Sequence, residues 1–186
     1  MLVILSGVAG AGKDTVKKEI VKRLEYVDTF PTVTSRPMRE GDIPGITYIF
    51  VTKEKFKEMI KNGELYEYDL HHNNYYGVAK KPLQEKISNG KVAIRDVDVN
   101  GTENLVKQLK ESIKIITIFL RVPKEELRKR LELREDKPSE EEIKLRLSRF
   151  EYEESKMEQY DYIIDNVNQE ETIQKVIKII EENIEK

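Results

Sequence analysis

The sequence predicts an α/β protein with a mostly parallel sheet flanked by helices. Three observations carry that expectation. A short apolar run, Leu2-Val3-Ile4-Leu5, passes through a glycine-rich turn directly into helix-favouring residues from Val16 to Leu24. From Pro82 onward, short apolar stretches alternate with amphipathic ones in the rhythm of strand–helix–strand units. The run from Ile113 to Val122 is almost continuously apolar, which suits a strand covered on both faces.

The first element is the most specific. Gly7-Val8-Ala9-Gly10-Ala11-Gly12-Lys13-Asp14-Thr15 has the spacing G-x-x-x-x-G-K between a strand and a helix, the context in which that spacing cradles a nucleotide triphosphate. Glycines let backbone N–H groups converge on phosphates without Cβ clashes, and the following helix N-terminus adds partial positive charge. Lys13 can reach the β- and γ-phosphates as a flexible point charge. The pattern asks for Ser or Thr after the lysine, and this chain has Asp14.

Next, Tyr26 to Phe30 leads to Pro31 and a segment from Thr32 to Gly45 rich in proline, glycine and arginine, which reads as a working loop rather than a buried element. Thr47 to Val51 reads as a strand. Thr52 caps a helix through Lys61, with Phe56 and Ile60 on one face, and Asn62-Gly63 stops it. Glu64 to Leu70 reads as a strand and Asn73 to Gly77 as a turn feeding another. Strands and one helix thus crowd residues 32–80, a small mixed subdomain inserted in the parallel pattern.

The parallel rhythm then resumes. A helix runs from about Pro82 to Ile87, and a strand from Val92 to Val99 carries Arg95, Asp96 and Asp98. After Asn100-Gly101 a helix reaches about Lys110, followed by the Ile113–Val122 strand. Pro123 opens a helix with Leu127 and Leu131 on one face and Arg130 and Arg134 on another. Ser139-Glu140-Glu141-Glu142 is a capping-box start to a helix through about Met157. A short strand from Tyr160 to Ile164 and an amphipathic helix from about Glu170 to Ile184 complete the pattern.

Composition narrows the function. The 186 residues contain 33 Lys and Arg against 35 Asp and Glu, a net charge of −2, which argues against a general nucleic-acid binder. Any polyanion site must come from local clustering of cations. There is no cysteine, hence no disulfide framework, thiolate metal site or cysteine nucleophile, a pattern compatible with a cytoplasmic enzyme. No stretch approaches the about 20 apolar residues of a membrane span. The first apolar run is too short, and lacks preceding basic residues, for a signal peptide. His71 and His72 are adjacent on an expected strand and face opposite ways, a poor metal pair, and are read as surface residues.

Taken in order, these segments resemble the guanylate kinase family over nearly the whole chain. Thr34-Ser35-Arg36-Pro37-Met38-Arg39 followed by Gly45-Ile46-Thr47-Tyr48-Ile49-Phe50 is similar to the family's T-T-R-x-x-R…G-x-x-Y-x-F stretch. Gly63-Glu64-Leu65-Tyr66-Glu67-Tyr68 is similar to G-E-F-x-E-x, Asn74-Tyr75-Tyr76-Gly77 matches N-Y-Y-G, and Asp96-Val97-Asp98-Val99-Asn100-Gly101 resembles [ED]-I-D-x-Q-G. The resemblance implies phosphoryl transfer from MgATP to GMP. It also implies a P-loop core (about 1–31, 81–123 and 150–186), a GMP-binding subdomain (about 32–80) and a helical lid (about 124–149).

Site residues follow from the same resemblance and from their chemistry. Gly7, Gly10, Ala11, Gly12, Lys13, Asp14 and Thr15 are expected at ATP, with Arg134 stacking on adenine and Arg130 and Arg146 swinging onto the transferring phosphoryl. Arg36 and Arg39 can clamp a monophosphate, and Tyr48 and Tyr76 can donate to it. Glu67 is expected to read guanine by accepting from N1–H and the 2-amino group, and Thr32 matches a hydroxyl residue that contacts the base. Val78 stands where the family usually has a second hydroxyl. Asp96, with Asp14, is expected in the Mg²⁺ environment, and Asp98 at the acceptor. Arg95 has no functional account at this level. Two alternatives stay open: a kinase of another small phosphorylated acceptor, for which Asp14 and Val78 speak, and a non-catalytic phosphopeptide-binding relative, against which Lys13 and the lid arginines speak.

Overall fold

The computed structural model describes residues 1–39, 42–71, 73–133 and 139–184, apart from the side chains of His71 and Arg146. Its frame is a five-stranded parallel sheet in the order β2-β7-β1-β8-β9. These strands are β1 (Leu2–Ser6), β2 (Val27–Thr29), β7 (Val92–Asp96), β8 (Ile115–Arg121) and β9 (Tyr162–Asp165). Alternation along β1 explains why the sheet is covered on both sides. Val3 and Leu5 enter one cluster with Val16 and Ile20 of α1 (Lys13–Arg23) and Ile173, Val176 and Ile180 of α8 (Gln169–Ile184). Leu2 and Ile4 enter another with Leu83 of α3 (Lys80–Ser88) and Leu105 and Leu109 of α4 (Val99–Leu109).

Between β2 and α3 lies a four-stranded sheet, β4-β3-β6-β5, with β3 (Thr32–Thr34) parallel to β4 (Tyr48–Phe50) and antiparallel to β6 (Asn74–Ala79), which pairs antiparallel with β5 (Leu65–His71). Helix α2 (Lys53–Lys61) covers it, packing Phe56 and Met59 on Val33 and Ala79. Thr52 caps α2 as expected, accepting from the Lys55 N–H at 3.1 Å. This is the expected mixed subdomain, with its own small core.

Several expectations need correction. Thr32–Thr34 is a buried strand, not the start of a loop: its backbone bonds to β4 and β6 on both sides, which drives even its threonines inward. On α2, Ile60 packs beside Phe56 as expected, and Met59 is buried beside them. The chain at Asn74 is already strand, so Tyr75, Tyr76 and Gly77 lie in the sheet rather than in a turn. Strand β7 ends at Asp96, and Asp98 caps α4 by accepting from the Gly101 N–H at 2.7 Å, so Asn100-Gly101 lies inside the helix.

The expected Ser139–Met157 helix is two helices, α6 (Glu140–Ser148) and α7 (Phe150–Ser155), joined at Arg149 and followed by a 3₁₀ turn, Met157–Gln159. Helix α6 buries Ile143 and α7 buries Phe150 and Glu153, and the break between them at Arg149 carries neither proline nor glycine. The capping box at Ser139 is present as expected, with Ser139 and Glu142 bonding each other's backbone N–H. Helix α5 (Lys124–Glu132) buries Leu127 and Leu131. No helix among the described residues is long and apolar enough to cross a membrane.

Candidate active site

The carboxyl ends of β1 and β7 open into two adjoining clefts, where ligands of parallel sheets bind. The first, about 730 Å³, runs along the glycine loop and is lined by Gly12, Lys13, Asp14, Thr15, Arg130 and Asn166 among others. The second, about 300 Å³, lies between the core and the inserted sheet and includes Thr32, Tyr48, Glu67, Tyr76, Val78 and Asp98. Ala9, Lys13 and Asp96 line both, so the clefts meet at the lysine.

The loop has its shape because Gly7, Gly10 and Gly12 all take positive φ, at 134°, 90° and 85°. At Gly7 a side chain is also excluded by contact: a Cβ would lie 2.3 Å from the Leu120 carbonyl oxygen of β8. Lys13 opens α1 and folds back, donating to the carbonyls of Gly7 (2.6 Å) and Val8 (3.0 Å). Burial pushes its ammonium below the ordinary lysine value, while Glu153, Asp96 and Asp98 pull the other way.

Asp14 does not carry its charge alone. Its carboxylate meets Lys17 Nζ at 3.0 Å and Lys18 Nζ at 2.7 Å, and Lys17 also donates to Asp96 Oδ1 at 2.6 Å. Burial raises the Asp14 carboxyl, but the two lysines outweigh it and hold it below its usual value. Asp96 behaves alike: burial raises it, and Arg95 and Lys17 bring it down. The buried Lys17 is thus an internal counter-ion between two carboxylates, a feature the sequence reading missed.

The donor set suits Mg²⁺ arriving on nucleotide phosphates, which keeps several waters and needs only one or two carboxylates. Asp14 and Asp96 are the two carboxylates that line this cleft beside Lys13 and Thr15. Among the described residues no group of three His, Cys, Asp or Glu forms a metal cage.

In the second cleft Glu67 is buried on β5, and its Oε2 lies against the first turn of α4, 3.1 Å from where a Gly101 Cβ would stand. A helix N-terminus favours a carboxylate there. Burial raises the Tyr48 hydroxyl, which therefore stays protonated and able to donate. Val78 is buried and gives the cleft an apolar wall. Arg36 and Arg39 lie outside the cleft lining. Arg36 is held by Asp42 through two bonds (2.9 and 3.1 Å) and lies over the rings of Tyr48 (5.3 Å) and Phe50 (5.5 Å). Arg39 is exposed, and its backbone N–H donates to Asp42 Oδ2 at 2.6 Å.

Arg130 reaches the first cleft while its Nε donates to Glu126 at 2.9 Å. Arg134, His72 and the side chains of Arg146 and His71 lie outside the described residues. Beyond Lys17, sequence reasoning missed Asn166, whose amide donates to the Ala11 carbonyl at 2.7 Å, and the cleft-lining pair Arg149 and Glu153, 3.4 Å apart. It also found no purpose for Arg95, which binds across the subdomain boundary.

A glycine loop at the end of a central parallel strand, its lysine shared between two adjoining clefts, is the arrangement of a P-loop kinase. The family model for guanylate kinase matches residues 1–183. The guanylate kinase of Prochlorococcus marinus (strain MIT 9312) is 38% identical over 181 residues, covering 97% of this chain and 96% of its own. That of Helicobacter pylori (strain J99 / ATCC 700824) is 32% identical over 178 residues, covering 96% of this chain and 85% of its own. The crystal structure of guanylate kinase from Anaplasma phagocytophilum superposes with a TM-score of 0.78 at 29% identity, covering 98% of this chain and 85% of that one. A shikimate kinase from Bacteroides thetaiotaomicron, at 15% identity and a TM-score of 0.52 over 97% of this chain and 98% of its own, shares the fold alone. This chain belongs to the guanylate kinase family, ATP-dependent nucleoside monophosphate kinases that phosphorylate GMP to GDP.

Proposed function

We propose that this protein moves the γ-phosphoryl group of MgATP onto GMP through the residues described above. Residues 32–80 form the acceptor subdomain and about 124–149 the lid. The observation that carries the reading is the meeting of the two clefts at Lys13 and Asp96, with Glu67 and Thr32 in the acceptor half. In the reaction an oxygen of the GMP phosphate bonds to the γ-phosphorus as the bond to the ADP oxygen breaks, so no protein nucleophile is required. The chemistry is then mostly positioning and charge neutralisation.

Each residue has a role in that scheme. Lys13 leaves the Gly7 and Val8 carbonyls for the β- and γ-phosphates, with the loop N–H groups and Thr15 around it. Arg130, with Arg134 and Arg146, serves the donor and the transferring group. Arg36 and Arg39 take the acceptor phosphate, Arg36 exchanging Asp42 for it, and Tyr48 and Tyr76 donate to it. Glu67 accepts from guanine N1–H and the 2-amino group, and Asp98 lies beside the acceptor. Asp14 and Asp96 would hold Mg²⁺, which when bound neutralises phosphate charge. The setting is cytoplasmic, in keeping with the absence of cysteine.

A coupled assay of ADP release across GMP, dGMP, AMP, CMP and UMP tests this. GMP is expected to be used best. Glu67→Gln is expected to cut kcat/KM for GMP by at least about a hundredfold, because a mispaired buried contact rejects its substrate, with KM for ATP unchanged. Absence of GMP-dependent turnover overturns the reading, and equal effects on GMP and ATP overturn the role of Glu67.

A further inference from the structure

Arg95 is an arginine in a central strand, only 2% exposed, with its guanidinium turned toward the inserted subdomain. Nη1 donates to the Phe30 carbonyl at 3.0 Å. Nη2 donates to the Thr47 carbonyl and to the Thr32 hydroxyl oxygen, each at 3.0 Å. The guanidinium also lies over the Tyr48 ring at 5.6 Å, and Nε is 3.6 Å from Asp96 Oδ1. Arg95 and Thr32 both line the acceptor cleft.

These contacts occupy one lone pair of the Thr32 hydroxyl and bias it toward donating. A guanidinium has N–H groups and no lone pair to offer, so the Thr32 oxygen can only accept from it. The Thr32 proton is left over, and among the described residues no acceptor takes it. Donation from a cation strengthens the hydroxyl as a donor in turn. We propose that Arg95 is a positioning residue for base recognition, fixing the Thr32 hydroxyl as a donor into the acceptor cleft so that the site selects a 6-oxo purine over a 6-amino one. The inference rests on the GMP reading and deepens it.

A carbonyl oxygen at the purine 6-position accepts the Thr32 proton. An amino group there offers hydrogens instead, which the Thr32 oxygen could take only on its one remaining lone pair, in front of a buried positive charge. Glu67 supplies the opposite polarity in the same cleft, accepting where guanine carries N1–H and the 2-amino group. Guanine has both an acceptor and donors along that edge, and the cleft carries the complement of each. Val78 adds no polar group, so the 6-position depends on the Thr32–Arg95 pair.

The test compares GMP with 6-thio-GMP, which keeps N1–H and the 2-amino group but replaces the oxygen acceptor by a poor one. The wild-type protein is expected to prefer GMP by about tenfold in kcat/KM, the worth of one well-made hydrogen bond in a buried site. Arg95→Met and Arg95→Gln are expected to bring that ratio close to one by lowering GMP use. In a Thr32→Val background the Arg95 substitutions are expected to leave the ratio where Thr32→Val put it. Equal loss on both nucleotides in the Arg95 variants means that Arg95 only ties the subdomain to the core, and overturns the proposal. The wild-type arm decides even if both variants fail to fold: equal use of GMP and 6-thio-GMP overturns the proposal while leaving the GMP reading intact. No use of GMP at all overturns that reading, and this inference with it.

Discussion

At Asp14 a carboxylate replaces the expected hydroxyl, and the cost of its charge is met within one helical turn. Lys17 and Lys18 meet it directly, and Lys17 passes the contact on to Asp96. Removing one partner of a buried pair leaves a stranded charge. Lys17→Met is expected to cost about 3 kcal/mol, the low end for such a loss because Asp96 keeps 24% side-chain exposure. The pH dependence has a definite sign. Asp96 is held below 3.8 in the folded protein, so its ionisation contributes stability above that value and loses it as pH falls through the folded-state value. Without Lys17 the folded value rises, and acid unfolding of Lys17→Met should begin at higher pH. Chemical denaturation between pH 7 and pH 3 measures both effects; an unchanged acid limb would show that Lys17 does not govern Asp96. Lys13, Gly7 and Gly12 were legible in the sequence because their signal is local. Lys17, Arg95 and Asn166 were not, because their partners Asp96, Thr32 and Ala11 are 79, 63 and 155 residues away along the chain.

Helices and strands were legible wherever they ran long enough to show a period. The three-residue β3 is too short for alternation to register, and its threonines disguise its burial. The bend at Arg149 carries no proline or glycine, so the sequence reads as one continuous helix and does not reveal the place of Arg149 and Glu153 in the cleft lining. Helix α4 shows an element shaped for the site rather than for itself. Alanine is ordinarily better than glycine within a helix, by roughly 0.5–1 kcal/mol. At Gly101 a Cβ would instead meet Val97 Cγ1 at 2.7 Å and Glu67 Oε2 at 3.1 Å. Gly101→Ala is therefore expected to push Glu67 off the helix N-terminus and raise KM for GMP by about fivefold or more, with KM for ATP unchanged; a loss of less than about 1.4 kcal/mol in binding is enough for that. Steady-state kinetics with each nucleotide varied in turn checks it, and an unaltered KM for GMP would mean that the carboxylate can shift without consequence.

Over the whole molecule, the order of elements disclosed the parallel core and its insertion, but not which distant elements touch. Helices α1 and α8, at opposite ends of the chain, are joined by Arg23 and Glu170 through two contacts of 2.7 Å. The Arg23 guanidinium draws the Glu170 carboxyl from 4.5 down to about 2. A depressed carboxyl stabilises the fold above its ordinary value and stops doing so as it protonates. The stability difference between wild type and Arg23→Ala is accordingly expected above pH 4.5, fading as pH falls toward 2, and shrinking with added salt because the pair is exposed. Thermal melts across that range would show it, and a difference that is constant with pH would assign the contact no electrostatic part.

The contact between Gly7 and the Leu120 carbonyl reaches further than the glycine itself. Every residue of the nucleotide signature lies in the first fifteen positions, yet the wall that moulds it belongs to β8, which begins at Ile115 and pairs beside β1. The signature therefore carries its residues locally but takes its shape from a strand more than a hundred residues further along the chain. A chain that ends before β8 contains the whole motif without its mould, so competence to hold a triphosphate belongs to the assembled sheet rather than to the motif.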